Sequence, residues 1–355
     1  MRIAISTGGG DAPGLNAVIR AAVLTAVHRG WECFGVRRGF GSLLGESELM
    51  PLGPNEVRGI THLGGTILGT SNRGNPLKWR VQRPDGSWEE RDRSQELIDA
   101  FRANRLDALI AIGGDGTLGI VLELWKKGLP VVGVPKTIDN DVGGTVATFG
   151  FDTAVSIATD AIDKLHTTAE SHERVMVVEV MGRHAGFIAL NSGVSGSADV
   201  ILIPEIPFDI NKVCDKIRRR EAEGRHFSIV VVAEGAVPKG GAVSLIDPAH
   251  ERLGGIADKV AHSIEQLTGK ETRSLVLGHL QRGGGPTTFD RILGLRFGAA
   301  AVRLVAEGKF GMMVALQPPR IVPVPIADAL ATPRRVPLDA DVIATARDLG
   351  ISFGD

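Results

Sequence analysis

Short runs of Val, Ile and Leu that do not alternate with polar residues recur along the chain, and each leads into a glycine-rich turn and then a helical pattern. The runs at Arg2 to Ser6, Ala108 to Ile112, Val131 to Val134, Val175 to Val180 and Ser228 to Ala233 are too uniformly apolar for strands with one wet face. Such strands are buried on both faces, as in parallel sheets covered by crossover helices. The expected fold class is therefore α/β with mainly parallel sheets. Helices are expected at about 14–28, 94–104, 117–128, 151–168, 209–223, 254–268 and 288–307. The polar stretch Arg80 to Arg93, with Pro84-Asp85-Gly86 inside it, reads as a solvated β-turn excursion. A length of 355 residues suggests roughly two domains.

Charge and composition remove several function classes. The chain balances 40 Lys+Arg against 41 Asp+Glu, and its longest basic run is Arg218 to Arg220, so the basic surplus of a nucleic-acid binder is absent. No apolar stretch approaches the roughly 20 residues of a membrane span. The opening Met-Arg-Ile-Ala-Ile-Ser lacks the apolar region and cleavage site of a signal peptide, and a cytoplasmic location is expected. Cys33 and Cys214 lie far apart with no CxxC, which reads as two small buried hydrophobes. Glycine stands out at 46 residues, nearly double the roughly 7% of average usage, and it clusters in particular loops.

Three of those loops follow buried strands. Thr7-Gly8-Gly9-Gly10-Asp11-Ala12-Pro13-Gly14-Leu15-Asn16 exposes main-chain N–H groups before a helix, as an anion site needs, and equally suits a tight turn. It lacks the Lys-Ser/Thr ending of a Walker A loop. Gly113-Gly114-Asp115-Gly116-Thr117-Leu118-Gly119 formally matches a dinucleotide fingerprint, but Asp115 argues against it. A carboxylate about 5 Å from a phosphate charge costs roughly 3 kcal/mol at an effective dielectric near 20. A divalent cation bridging Asp115 to phosphate oxygens reverses that sign, so the loop suggests a metal–nucleotide site. Pro135-Lys136-Thr137-Ile138-Asp139-Asn140-Asp141 offers a carboxylate able to take a proton from a hydroxyl and a second for a metal or structural role. All three loops fall beyond strand carboxyl ends, where open α/β sheets bind ligands. Arg174, Met181-Gly182-Arg183, Glu234, Arg273 and Gly278-His279-Leu280-Gln281-Arg282-Gly283-Gly284, at other strand ends, suggest a second site for an anionic substrate.

Gly9 to Asn16, Gly113 to Thr117, Pro135 to Asp141, Met181 to Arg183 and Gly278 to Gly284 together resemble the 6-phosphofructokinase family, over the whole chain. Gly-Gly-Asp-Gly-Thr alone also occurs in NAD kinases and diacylglycerol kinases, which lack the other loops. The resemblance implies two Rossmann-like domains with the active site in the cleft between them. The nucleotide-binding domain would comprise residues 1–150 plus about 281–331, and the sugar-phosphate-binding domain residues 151–280 plus about 332–355. It implies MgATP as phosphoryl donor and the 1-hydroxyl of fructose 6-phosphate as acceptor. Asp139 would be the general base, Thr137 would contact the transferring phosphoryl group, Arg183 would join them in catalysis, and Asp115 would hold Mg²⁺. Gly10, Arg73, Gly114, Gly116 and Thr117 would line the ATP phosphates. The acceptor would meet Thr137, Ile138, Asp139, Met181, Gly182, Arg183, Glu234, His279, Leu280, Gln281 and Arg282. Arg174 and Arg273 would come from a neighbouring subunit of a homodimer or homotetramer.

Two positions bear on the donor. Gly116 leaves room for a nucleotide where a carboxylate would repel its α-phosphate, which favours ATP; Lys136 is the residue that pyrophosphate-dependent members carry before the Thr. A pyrophosphate-dependent transferase is therefore the alternative. Asn72 intervenes between Thr-Ser and Arg73, which shifts the register of that arginine. Phe40 falls near a position that stacks on adenine, and a packing role suits it equally. Among the basic residues of the family's effector site, Arg20 is matched, but Leu24 and His166 stand where arginines are expected. The response to ADP and phosphoenolpyruvate is accordingly predicted to be weak or altered, and fructose 6-phosphate saturation curves with and without ADP test this: strong sigmoidicity relieved by ADP would contradict it.

Overall fold

A computed structural model describes residues 1–71, 74–247 and 251–355. Contacts gather the chain into two units, the first made of Met1–Ile138, Val142–Asp152 and Arg282–Pro333, the second of Asp139–Asp141, Thr153–Gln281 and Arg334–Asp355. Sequence reading ran the first unit unbroken to residue 150, whereas the contacts group Asp139–Asp141 with the second.

The first unit is organised on a seven-stranded sheet of β1 (Arg2–Thr7), β2 (Glu32–Val36), β3 (Met50–Leu52), β6 (Ala108–Gly113), β7 (Val131–Pro135), β14 (Met312–Gln317) and β15 (Arg320–Pro325). The order is β15-β14-β7-β6-β1-β2-β3. Strands β14, β7, β6, β1 and β2 run parallel, and β3 and β15 close the edges antiparallel. Among the described residues, the helices lying wholly in this unit are α1 (Leu15–Val27), α2 (Ser94–Ala103), α3 (Asp115–Lys126), α8 (Thr288–Ala306) and α9 (Ile326–Ala331). The two-faced burial expected from the apolar runs is present. Ile3, Ile5, Ile110 and Ile112 pack against Val18 and Ile19 of α1 and Phe297 of α8. Ala4, Leu109 and Ala111 pack on the other face against Leu97 and Ile98 of α2 and Leu118 and Val121 of α3. The polar excursion is a hairpin of β4 (Trp79–Gln82) and β5 (Trp88–Arg91).

In the second unit β8 (Val175–Val180), β9 (Val200–Leu202), β10 (Ser228–Ala233) and β13 (Thr272–Val276) form an all-parallel sheet in the order β13-β8-β10-β9. A small hairpin, β11 (Leu245–Asp247) with β12 (Arg252–Leu253), lies outside it. The helices are α4 (Phe151–His172), whose first two residues count with the first unit, α5 (Phe187–Ser195), α6 (Ile210–Ala222), α7 (Ile256–Thr268) and α10 (Asp341–Asp348). Two carboxylates satisfy N–H groups that helix starts leave without intrahelical partners: Glu179 accepts from Gly255 and Ala257 at the start of α7, and Glu205 from Gly186 at the start of α5. Ser352 bridges to β9 through Ile201 N–H (2.9 Å) and its own N–H to Asp199 O (3.0 Å), covering that sheet edge. No helix among the described residues is long and apolar enough to cross a membrane.

Helices α1 and α8 approach closely because Gly298 presents no side chain. A Cβ there would stand 2.3 Å from Val18 O and 3.0 Å from Ala22 N, both main-chain atoms that cannot rotate away. Gly298→Ala is therefore expected to lose about 1–3 kcal/mol of stability through overpacking, read as a lower denaturation midpoint with unchanged slope; an unchanged midpoint would contradict it.

Candidate active site

In the first unit the glycine loops meet at the carboxyl ends of β1 and β6. Thr117, in the first turn of α3, is buried, and an added Cβ at Gly8 would stand 2.7 Å from its Oγ1, one at Gly113 2.3 Å from its Cβ. Only glycine at both positions lets the start of α3 come down onto the strand ends. Gly8 N–H donates to Ile112 O (2.9 Å) and Lys136 N–H to Gly113 O (2.9 Å), tying the three loops together. A helix N-terminus with exposed main-chain N–H groups favours an anion.

Two cations stand on the first loop. Lys136 is only 3% exposed, and its Nζ would be 3.3 Å from a Cβ at Gly9. The Arg282 guanidinium donates to Asp11 O (3.0 Å) and lies against Gly10. Arg282, expected among the acceptor ligands, lies here against the Gly10 turn of the first unit. Asp115 is exposed in the first turn of α3, with Oδ1 accepting from Gly116 N–H (2.7 Å). One carboxylate beside an anion site suits a hard divalent cation completed by substrate oxygens, and no group of three potential ligands occurs among the described residues. A Cβ on Gly116 would meet nothing within 4 Å, so the space beside it is open. Gly114 lies between the loops, its Cβ direction facing Lys136 O at 3.2 Å.

Next to the first loop is a cavity of 480 Å³ lined by Arg38, Glu46, Thr70, Ser71, Gly74, Trp79, Arg80 and Trp88. Ser71 O accepts from Gly9 N–H (3.2 Å) and Thr70 Oγ1 donates to Gly9 O, so its wall is continuous with the first glycine loop. Sequence reading passed over Trp79 at the base of the hairpin and Trp88 beside its turn, because the charged residues around them dominate the segment. Phe40 does not line this cavity; it is 2% exposed and packs among Val36, Leu97 and Ile98. Arg73 and Asn72 lie outside the described residues.

In the second unit the loops after β8, β10 and β13 share one edge of the sheet. Met181 N–H donates to Gln281 Oε1 (2.8 Å), and Arg183 N–H to Glu234 Oε1 (2.9 Å). Gly182 takes φ +143° with Ala185 O 2.5 Å from its Cβ direction, and Arg183 follows at φ +54°, a left-handed conformation that for this residue costs about 1–2 kcal/mol. His279 and Leu280 are exposed on the turn Gly278–Arg282, while Gln281 is fully buried; its amide shapes the Met181 loop. Asp139, where this unit begins, is 7% exposed; Thr137 and Ile138, which end the preceding stretch of the first unit, are 8% and 0% exposed, so Ile138 can offer only its main chain to a ligand. Arg174 and Arg273 stand apart from this cluster. They lie at the amino ends of β8 and β13, about 20 Å along six residues of strand from Met181, and both pair with Glu271 (2.9 Å for Arg174). Reading both simply as strand-end residues had merged opposite edges of a parallel sheet.

Of the effector-site positions, Arg20 Nη1 donates to Val57 O (2.6 Å), and His166 contacts Gly196 O (2.7 Å) and the Phe227 ring. Burial pushes the Cys33 thiol up to about 12, which makes it inert as a nucleophile.

A phosphofructokinase family model matches residues 2–305. The chain belongs to the phosphofructokinase family. It is 54% identical to the ATP-dependent 6-phosphofructokinase of Chloroflexus aggregans over 354 residues, covering all of this chain and 98% of that one. It is 52% identical to the pyrophosphate–fructose 6-phosphate 1-phosphotransferase of Amycolatopsis mediterranei, covering 96% and 97%. Among solved structures, phosphofructokinase from Pichia pastoris in the T-state superposes with a TM-score of 0.80 at 30% identity, covering 99% of this chain and 37% of that longer one. The two-domain phosphofructokinase fold expected from the sequence is thereby established.

Partial desolvation pulls the pKa of the exposed His184 below the ordinary imidazole range, and the Arg183 and Arg335 charges add to the effect. The folded state then favours neutral His184 while the unfolded chain takes up a proton, so this contribution is full above pH about 6.5 and is lost as pH falls below it. His184→Gln should make the decline of melting temperature below that pH shallower; an unchanged slope would contradict the assignment.

Proposed function

We propose that the protein is an ATP-dependent 6-phosphofructokinase, transferring the γ-phosphoryl group of MgATP to the 1-hydroxyl of D-fructose 6-phosphate to give fructose 1,6-bisphosphate and ADP in glycolysis, in the cytoplasm. The observation that carries the donor is Gly116: its Cβ direction opens onto free space at the start of α3, where a carboxylate would meet the α-phosphate. The tryptophan-walled cavity continuous with the Gly9 loop supports the same reading, since a nucleoside needs such a volume and pyrophosphate does not. Pyrophosphate is the second reading, favoured by Lys136 and by the Amycolatopsis relative.

In this mechanism Asp139 accepts the proton of the 1-hydroxyl as its oxygen forms a bond to the γ-phosphorus and the bond to the β–γ bridging oxygen breaks. Gly10, Gly114, Gly116 and Thr117 present main-chain donors and space to the phosphates, with Arg73 as a further contact. Lys136 offsets charge on the donor, Arg282 meets the sugar phosphate, and Thr137 orients the group in transit. Asp115 would hold Mg²⁺, which when bound neutralises charge on the donor phosphates. Met181, Gly182, Arg183, Glu234 and His279 fix the sugar phosphate, with Leu280 and Gln281 completing that loop. Arg174 and Arg273 are proposed to serve a neighbouring subunit of a homodimer or homotetramer. Their position at the sheet edge away from their own Met181 loop supports this, as does a half-exposed Arg273 side chain.

Asp139→Asn preserves shape and removes the base, so kcat should fall by about 10²–10⁴-fold with MgATP binding retained; unchanged turnover would sink the assignment. A coupled assay with fructose 6-phosphate should run with MgATP and much less with pyrophosphate, and Gly116→Asp should weaken use of ATP selectively. Faster turnover with pyrophosphate would favour the second reading.

A further inference from the structure

Three consecutive residues where the chain re-enters the second unit hold loops that lie far away in sequence. Arg334 N–H donates to Asp141 O (2.8 Å), and its Nη1 donates to Asn140 O (3.2 Å). Arg335 Nη1 donates to His184 O (2.5 Å), in the residue after Arg183. Val336 N–H donates to Glu205 Oε1 (2.9 Å), the carboxylate that also takes Gly186 N–H at the start of α5. The Arg334 guanidinium further rests 4.9 Å over the ring of Phe187, the first residue of α5.

These contacts act beside two of the second unit's non-glycine residues that hold a left-handed backbone. Asn140, directly after Asp139, has φ +57°, and Arg183 has φ +54°. Left-handed non-glycine residues persist where surrounding groups over-determine them, and they concentrate at functional sites. Asn140 O and Asp141 O belong to the two peptide units beyond the one that joins Asp139 to Asn140, so a donor on each fixes the turn from which the Asp139 side chain projects. A planar guanidinium can hold a carbonyl while stacked on a ring; an ammonium cannot do both.

We propose that Arg334 is a positioning residue for Asp139, clamping the two carbonyls after it so that the carboxylate meets the acceptor hydroxyl in a productive geometry, with Arg335 setting the Arg183 loop in the same way. The proposal rests on the reading of Asp139 as the general base. A misplacement of about 1 Å at a reacting group can cost about 10²-fold in rate, and that is the scale expected here.

The test is a set of four variants, Arg334→Met, Arg334→Lys, Asp139→Asn and Asp139→Asn/Arg334→Met, assayed for kcat and both KM values with MgATP and fructose 6-phosphate. Arg334→Met should lower kcat about 10²-fold while KM for MgATP stays within about twofold, because the donor loops belong to the first unit. Arg334→Lys should recover part of the loss. In the Asp139→Asn background, Arg334→Met should cost little more, since no base remains to be positioned. Wild-type kcat in Arg334→Met, or an equal fold-loss in both backgrounds, would overturn the proposal while leaving the base intact. Should Arg334→Met fail to fold, Arg334→Lys in the two backgrounds makes the same comparison. Wild-type turnover in Asp139→Asn would overturn the base reading and this inference with it.

Discussion

Thr117 fills the space that side chains at residues 8 and 113 would need, and the first unit's candidate site depends on that contact. It draws the start of α3 onto the carboxyl ends of β1 and β6, so that the Gly8–Gly10 turn, the N-terminus of α3 and the Lys136 main chain form one surface. Larger residues at 8 or 113 would lift the helix and separate the N–H groups from the cations that stand beside them. The local electrostatics follow from the same approach. Lys136 can be 3% exposed because it adjoins a polar loop, and Asp115 can remain at the rim because the helix start favours negative charge.

The second unit solves a related problem by different means. Its loops are held by side chains, with Gln281 on Met181, Glu234 on Arg183, and Arg334 with Arg335 on the residues after Asp139 and Arg183. Fixing loops this way lets non-glycine residues occupy left-handed conformations at Asn140 and Arg183. The first unit brings its loops together by leaving side chains out; the second holds its loops in place with side chains.

The parts legible in the sequence are those whose physics is local. The five apolar runs became central strands because burial on both faces forces uniform hydrophobicity, and the glycine loops stood out because close main-chain approach admits little else. Strands β2, β9 and β13 were missed because each is short or carries polar and exposed residues, as in Thr-Arg-Ser-Leu-Val of β13, while β14, Met-Met-Val-Ala-Leu-Gln, was missed although it is apolar and mostly buried. Helix α5 was missed because it is buried nearly all round, which erases the amphipathic period. Arg334 left no signal, since its partners are main-chain carbonyls 194 residues away and any sequence supplies a carbonyl. The separation of Arg174 and Arg273 from the Met181 loop required knowing which end of each strand faces which edge.

The first unit also has an unusual timetable. Strand β7 has β6 on one side and β14 on the other, and α1 packs on α8, so elements made early in translation wait for partners beginning at Thr288. At about 5–20 residues per second, a nascent chain spends many seconds with one flank of its first sheet and the apolar face of α1 uncovered. The second unit's sheet, Val175 to Val276, is by then already synthesised and needs only the C-terminal return to cover β9. The half of the protein that begins first is thus completed late, and a ribosome-bound chain halted before α8 would expose the surface that chaperones recognise.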